Sequence, residues 1–222
     1  MTNKRFFFQS PDGEIYSVFR DGGELIKEDV LDFVPFICCG TYGFHYSMED
    51  GAYSVYDLKT NTKTLSPSPE GKPVAYAETD IGLLRVCYSK YDEWKRVQGN
   101  FKEYKKEHPE MSPAEFSDYY NDLCNKAKYS GSSRIYRTSL DGKTTELLIE
   151  KEHAHYSIAH ATDKYMYVFA TFGDPDNGYS EIEPVNKGRH ILNIETGELI
   201  PIPLADHVLR DDLTFVPDGA EQ

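Results

Sequence analysis

SRIYRTSLDGKTTELLIE, residues 133–150, places two short apolar-alternating runs on either side of Asp141-Gly142. That is the signature of two strands joined by a tight turn. Three other stretches read nearly the same way: EIYSVFRDGGELIKE at 14–28, AYSVYDLKTNTKTLS at 52–66 and RHILNIETGELIPIP at 189–203. In each, a β-branched or aromatic run leads into a polar turn and a second short run follows. Gly23, Asn61, Gly142 and Gly197 stand where the turn calls for positive φ, which glycine and asparagine tolerate best. A lone hairpin is marginal in water, so the four must pack on something.

Two further runs precede each of the last three hairpins: VPFICCG (34–40) and YGFHYSM (42–48), PVAYAET (73–79) and IGLLRVCYS (81–89), HYSIAHA (155–161) and KYMYVFATF (164–172). The unit is therefore four strands, and a four-stranded unit recurring about every 40 residues marks β-propeller blades. The first unit has three strands, FFFQS (6–10), EIYSVFR (14–20) and GELIKE (23–28), while HVLRDDLTFV (207–216) is a strand without a hairpin. The expected fold is all-β: a small propeller of four four-stranded blades in which the C-terminal strand closes the first blade. The blade units are 1–30 with 207–216, 31–68, 72–150 and 151–204. A two-chain eight-bladed ring and a piece of a longer propeller are the other arrangements open at this level.

The stretch IYRTSLDGKTTELLIE resembles the strand-turn-strand core of YWTD-type and TolB-like propeller repeats, including the DUF5050 family of bacterial propellers. The resemblance rests on Ile135, Tyr136, Leu140, Asp141, Gly142 and Leu147, echoed by Ile15, Tyr16 and Gly22. It covers the repeat units and not the two insertions, and the YWTD tetrapeptide and the WD40 and Kelch signatures are absent. It implies a binding platform, and it carries over no catalytic residue and no cofactor.

Of the 222 residues, 24 are Lys or Arg and 37 are Asp or Glu, a net charge of −13. Such a chain, lacking a long basic run, is a poor ligand for nucleic acid or anionic membranes. Seventeen tyrosines and twelve phenylalanines suit half-buried pleated surfaces. Cys38, Cys39, Cys87 and Cys124 form no CxxC pair, so buried free thiols are expected rather than a zinc site. Lys4-Arg5 with Phe6-Phe7-Phe8 is too short for a signal peptide, and no apolar run is long enough to span a bilayer. These features fit a cytoplasmic protein, although a secreted chain stripped of its leader would read alike.

Two insertions interrupt the repeat. In 91–129, Trp94, Val97, Phe101 and Tyr104 lie at helical spacing along one helix that His108-Pro109 stops. Ser112, Pro113 and Glu115 then form a capping box for a second helix, whose apolar face carries Phe116, Tyr119 or Tyr120, Leu123 and Ala127. An αα-hairpin must lay its aromatic stripe on something. It either folds back over the propeller or meets a protein or peptide partner, self-association included, through Trp94, Phe101, Tyr104, Phe116 and Tyr120. The second insertion, 173–188, crowds Asp174, Asp176, Asn177, Glu181 and Glu183 into one loop, which suits calcium in chemistry but not in EF-hand spacing. His153 and His155, with His160 beyond, form the densest titratable cluster, and on one strand face the HxH pair is a metal-ligand candidate. GxSxG, P-loop and GxGxxG motifs are absent. The leading expectation is a non-enzymatic interaction propeller. The alternative is a small carbohydrate-active hydrolase or lyase, which needs converging carboxylates or histidines at a central channel.

Overall fold

The structure is a computed structural model, and it describes residues 5–19, 21–29, 31, 34–35, 37–39, 41–47, 52–176, 179–181, 188–202, 207–209 and 215–217. The repeat appears in it as successive sheets. Strands β1 (Arg5–Gln9), β2 (Ile15–Phe19) and β3 (Ile26–Lys27) make a three-stranded antiparallel sheet, with Arg5 opposite Phe19 and Ser17 opposite Ile26. The second sheet runs β4 (Ile37–Cys39), β5 (Tyr42–Ser47), β6 (Ala52–Asp57) and β7 (Thr62–Leu65) in chain order. The third is β8 (Lys72–Thr79), β9 (Gly82–Tyr88), β10 (Ser132–Ser139) and β11 (Thr145–Glu152). In the fourth, β12 (Ala154–Ala161), β13 (Tyr165–Asp174), β15 (Arg189–Asn193) and β16 (Leu199–Pro201) lie in order, and β14 (Tyr179–Glu181) adds to β13. Gly23, Asn61, Gly142 and Gly197 all adopt positive φ, as the turn chemistry requires.

One expectation fails. Among the described residues the C-terminal strands do not join the first sheet: β17 (His207–Leu209) pairs with β18 (Phe215–Pro217), Val208 opposite Val216, as a separate two-stranded sheet. Among the described residues the first sheet keeps three strands. A partner a few residues away competes here with one nearly a chain length away, and loop-closure entropy favours the near one.

By contact density the chain divides into two compact units. One comprises Met1–Pro69, Ala77–Leu84 and Tyr136–Glu146; the other comprises Glu70–Tyr76, Arg85–Ile135 and Leu147–Gln222. In the first unit, Ile15, Leu31 and Tyr56 form a buried cluster with Phe7 and Leu58 packed on it. In the second, Ile191 and Ile202 pack with Tyr167. Strand β9 is buried along its whole length, Arg85 included, so both of its faces are covered. All four cysteines are free. Burial pushes the thiols of Cys38 and Cys39 up to about 12 and that of Cys87 to about 11, which leaves them protonated and inert. Among the described residues no helix is long and apolar enough to cross a membrane.

Between β9 and β10 the 91–129 insertion is helical, but its first half is two helices. They are α1 (Tyr91–Gly99) and α2 (Phe101–Glu107), followed by α3 (Pro113–Tyr129). The break falls at Gly99-Asn100, both poor helix formers. The capping box is formed: the Glu115 amide donates to Ser112 Oγ at 3.3 Å and the Ser112 amide donates to Glu115 Oε2 at 2.9 Å. Ser112→Ala is expected to cost about 1 kcal/mol, a fall of about 2–4 °C in Tm by thermal melt for a chain this size. An unchanged Tm would show that the cap contributes nothing.

Candidate functional site: the helical insertion and its seat

The hairpin builds a small aromatic core of its own. Phe101 packs edge-on against Phe116 at 5.3 Å and Tyr120 at 4.9 Å between ring centroids, and Tyr104 lies 6.0 Å from Tyr120. Lys105 Nζ sits 4.5 Å over the Phe116 ring. At the break Tyr120 caps the end of α1: its hydroxyl donates to Val97 O at 2.9 Å, which also accepts the Asn100 amide, and to Gln98 O at 2.8 Å. Burial pushes the Tyr120 phenol up to about 12, keeping it a donor. Sequence spacing alone does not reveal this, because the break and the hydroxyl that donates to it lie 20 residues apart.

The hairpin is held to the sheets at its base. Trp94 on α1 packs against Tyr88 of β9 at 6.1 Å and His155 of β12 at 5.3 Å. Tyr88 in turn donates its hydroxyl to the Lys128 carbonyl in the last turn of α3, satisfying a group that the helix end leaves unpaired. Tyr129, fully buried, follows it, and its carbonyl lies 2.8 Å from His153 Nδ1. The Tyr129 ring lies so close over Gly173 that any side chain there would overlap it. The Gly173 amide donates to His153 O at 2.9 Å, and the His153 amide donates to Gly131 O at 3.0 Å. Lys128 Nζ reaches Thr171 Oγ1 at 3.3 Å. The insertion is thus tied to β9, β12 and β13 by side chains and backbone together.

These contacts assign the aromatic residues different positions. Phe116 and Tyr120 are 2% and 9% exposed and form the interior of the hairpin. Trp94 serves the seat, and Tyr104 is half-buried. Phe101 is 48% exposed, a large apolar surface held in place from behind.

The histidines separate rather than converge. His153 stands in the turn before β12 with φ of 55°, whereas His155 is inside the strand, its ring between Tyr88 and Trp94. Burial, then Lys128 and Lys95, lower its pKa to about 4, so it is neutral at pH 7. His160 is exposed further along β12. Asp174 Oδ1 accepts the Asp176 amide at 2.8 Å, a local turn bond. Asn177 and Glu183 lie outside the described residues, as does the side chain of Glu181. Among the described residues no three His, Cys, Asp or Glu side chains come together in a way that could hold a metal.

A polar cleft of about 300 Å³ lies beside the second sheet, lined by Tyr42, Asp57, Thr60, Thr62 and Thr64 with Asp141 and Lys143. Its two carboxylates anchor turns. Asp57 accepts the amides of Lys59 at 2.9 Å and Thr60 at 3.2 Å; Asp141 accepts the Ser139 hydroxyl at 2.7 Å and the Lys143 amide at 3.1 Å. Slight burial of Asp57 is outweighed by the Thr60 and Lys59 bonds, and the Ser139 bond leads at Asp141, so both titrate below the usual carboxylate range. Neither is a proton donor at neutral pH, as general acid catalysis requires.

No protein-family model and no curated protein matches the chain. Among solved structures, it is similar to oligogalacturonate lyase from Vibrio parahaemolyticus, with a TM-score of 0.52 at 11% identity, covering 98% of this chain and 57% of that one. An oligogalacturonate lyase in complex with manganese gives 0.45 at 10% identity, over 98% and 57% of the two chains. TolB from Acinetobacter baumannii gives 0.33 at 11%, over 90% and 52%. The first likeness is one of fold, and the fold is of the β-propeller class. The chain spans 57% of the length of that lyase.

Proposed function

We propose that this chain is a non-catalytic interaction propeller that engages a protein or peptide partner through the helical insertion and an adjoining face of the sheets. The observation that carries the reading is Phe101. An aromatic ring nearly half exposed, immobilised on Phe116 and Tyr120, is an anchor that loses little entropy on binding. Its surroundings favour an acidic partner surface. Residues 91–107 carry Lys95, Arg96, Lys102, Lys105 and Lys106 against Asp92, Glu93, Glu103 and Glu107, so 5 − 4 = +1 within a chain of −13.

The test is a pull-down with intact protein beside Phe101→Ala, with light scattering of both for self-association. The variant is expected to lose partner recovery by about 30-fold, the effect of removing one hot-spot ring. Its Tm should stay within a few degrees of the parent, because Phe116 and Tyr120 still close the hairpin core. Equal recovery by the two proteins, or an intact protein that stays monomeric and recovers nothing, would overturn the reading.

A further inference from the structure

The second sheet ends in a polar face. Tyr42 of β5 stands opposite Asp57 of β6, and Asp57 opposite Thr62 of β7; two residues further along, Val55 stands opposite Thr64. Residues directly opposed share a face, and so do residues two apart on one strand, so all five point to one side of the sheet. Strand spacing makes this floor about 10 Å wide and about 7 Å long. The Asp141-Gly142 turn of the third sheet, in the same compact unit, forms a wall. It comes down on Val55 because residue 142 has no side chain: a Cβ there would lie 2.5 Å from Val55 Cγ2. Asp141 and Lys143 are thereby carried to the polar cleft of about 300 Å³ that this floor underlies.

The polar groups of the cleft discriminate between ligand charges. Among the described residues the Tyr42 and Thr64 hydroxyls make no hydrogen bond, and Thr62 Oγ1 shares one with Thr60 at 2.9 Å. Each of these hydroxyls can both donate and accept. Asp57 Oδ1 and Asp141 Oδ1 already take two donors apiece, and Asp141 Oδ2 lies 3.2 Å from Lys143 Nζ. An ionised carboxylate has about four acceptor positions, so each keeps some capacity but neither is bare. Carboxylates committed to their own turns are poor partners for an ammonium or metal ion. An anion meets two carboxylates against one lysine that is already paired. Neutral hydroxyl groups meet neither objection: they donate to the remaining carboxylate lone pairs in charge-assisted bonds and accept from the threonines and the phenol. The Tyr42 ring and the threonine methyls add apolar surface for ring C–H groups. The volume stands at the bottom of the ordinary range of ligand pockets, about 300–1,000 Å³, and suits one ring rather than a chain.

We infer that this cleft binds a single neutral sugar ring, held by the Tyr42, Thr62 and Thr64 hydroxyls and the Asp57 carboxylate. It lies on different elements from the helical insertion, so it stands or falls independently of the partner site proposed there.

The experiment is saturation-transfer NMR on the full chain with glucose, galactose and mannose, their disaccharides, galacturonate and putrescine, with affinities from titration calorimetry. At least one neutral sugar is expected to bind in the millimolar range. A disaccharide that binds no more weakly than its monosaccharide supports the inference and names a glycan end as the source of the ring. Thr62→Val combined with Thr64→Val should weaken binding at least tenfold, and Tyr42→Phe, which removes one hydroxyl alone, about three- to tenfold. Valine keeps the β-branched shape that strands favour, so the melts of these variants should match the parent. The inference is overturned if no neutral sugar binds, if galacturonate or putrescine binds in preference, or if sugar affinity is indifferent to both the threonine and the tyrosine variants.

Discussion

Gly82→Ala is expected to destabilise the protein by about 3 kcal/mol or more, through backbone overlap rather than loss of any contact. Gly82 opens β9 with φ of +151°, and a methyl group there would meet the Thr138 carbonyl oxygen of β10, an atom fixed in a strand. The turn cannot give way easily. Thr79 Oγ1 donates to Gly82 O at 2.8 Å and accepts the Ile81 amide at 3.3 Å, with Thr79 and Thr138 both buried. Gly22→Ala is the control, since φ there is also positive, +88°, but an added methyl finds open space. Its cost should be about 1 kcal/mol, the conformational part alone. In thermal melts the Gly82 variant should fall by about 6–12 °C and the Gly22 variant by about 2–4 °C. Equal losses would mean that Thr138 yields and the clash is relieved.

Acid should loosen the seat of the helical insertion through His155. Its pKa in the folded protein is about 4, lowered first by burial and then by Lys128 and Lys95, against a reference of 6.5. A histidine depressed on folding favours the folded state while neutral. Its contribution is therefore complete above pH 6.5 and lost progressively as pH falls from 6.5 toward 4. With each pKa unit at about 1.4 kcal/mol, the loss is at most about 3.5 kcal/mol. Carboxylates held low by partners, such as Glu150 with Arg134, begin to lose their contribution as pH enters the ordinary carboxylate range and lose the rest below it, equally in parent and variant. His155→Phe keeps a ring between Tyr88 and Trp94 without a titrating group. Denaturant melts at pH 7, 5.5 and 4.5 should show the parent losing stability faster than the variant across this window. Parallel curves would remove His155 as the cause.

Turn residues and strand periods are properties of neighbouring residues, which is why Asp141-Gly142, Asn61 and the capping box at Ser112 were legible and took their expected conformations. The aromatic stripe of 91–129 was legible as a stripe. Helical spacing nevertheless presents Trp94, Phe101, Phe116 and Tyr120 as equivalents. The structure makes one a seat, two an interior and one a surface, because burial depends on what each face meets. The break at Asn100 is similar: glycine and asparagine weaken a helix, but the acceptor role of α1 needs the hydroxyl of Tyr120 from another helix. His153 and His155 read as a pair by spacing, and one residue of turn separates them.

From the amino-acid order alone came the repeated hairpins, the sheet unit they define and the helical character of the insertion, all set by backbone preferences acting over a few residues. Tertiary structure alone decided which strand pairs with which at the two ends. That choice is a competition between distant edges offering identical backbone hydrogen bonds, and no local pattern records its outcome: β17 took β18, and among the described residues β1 pairs with β2 alone.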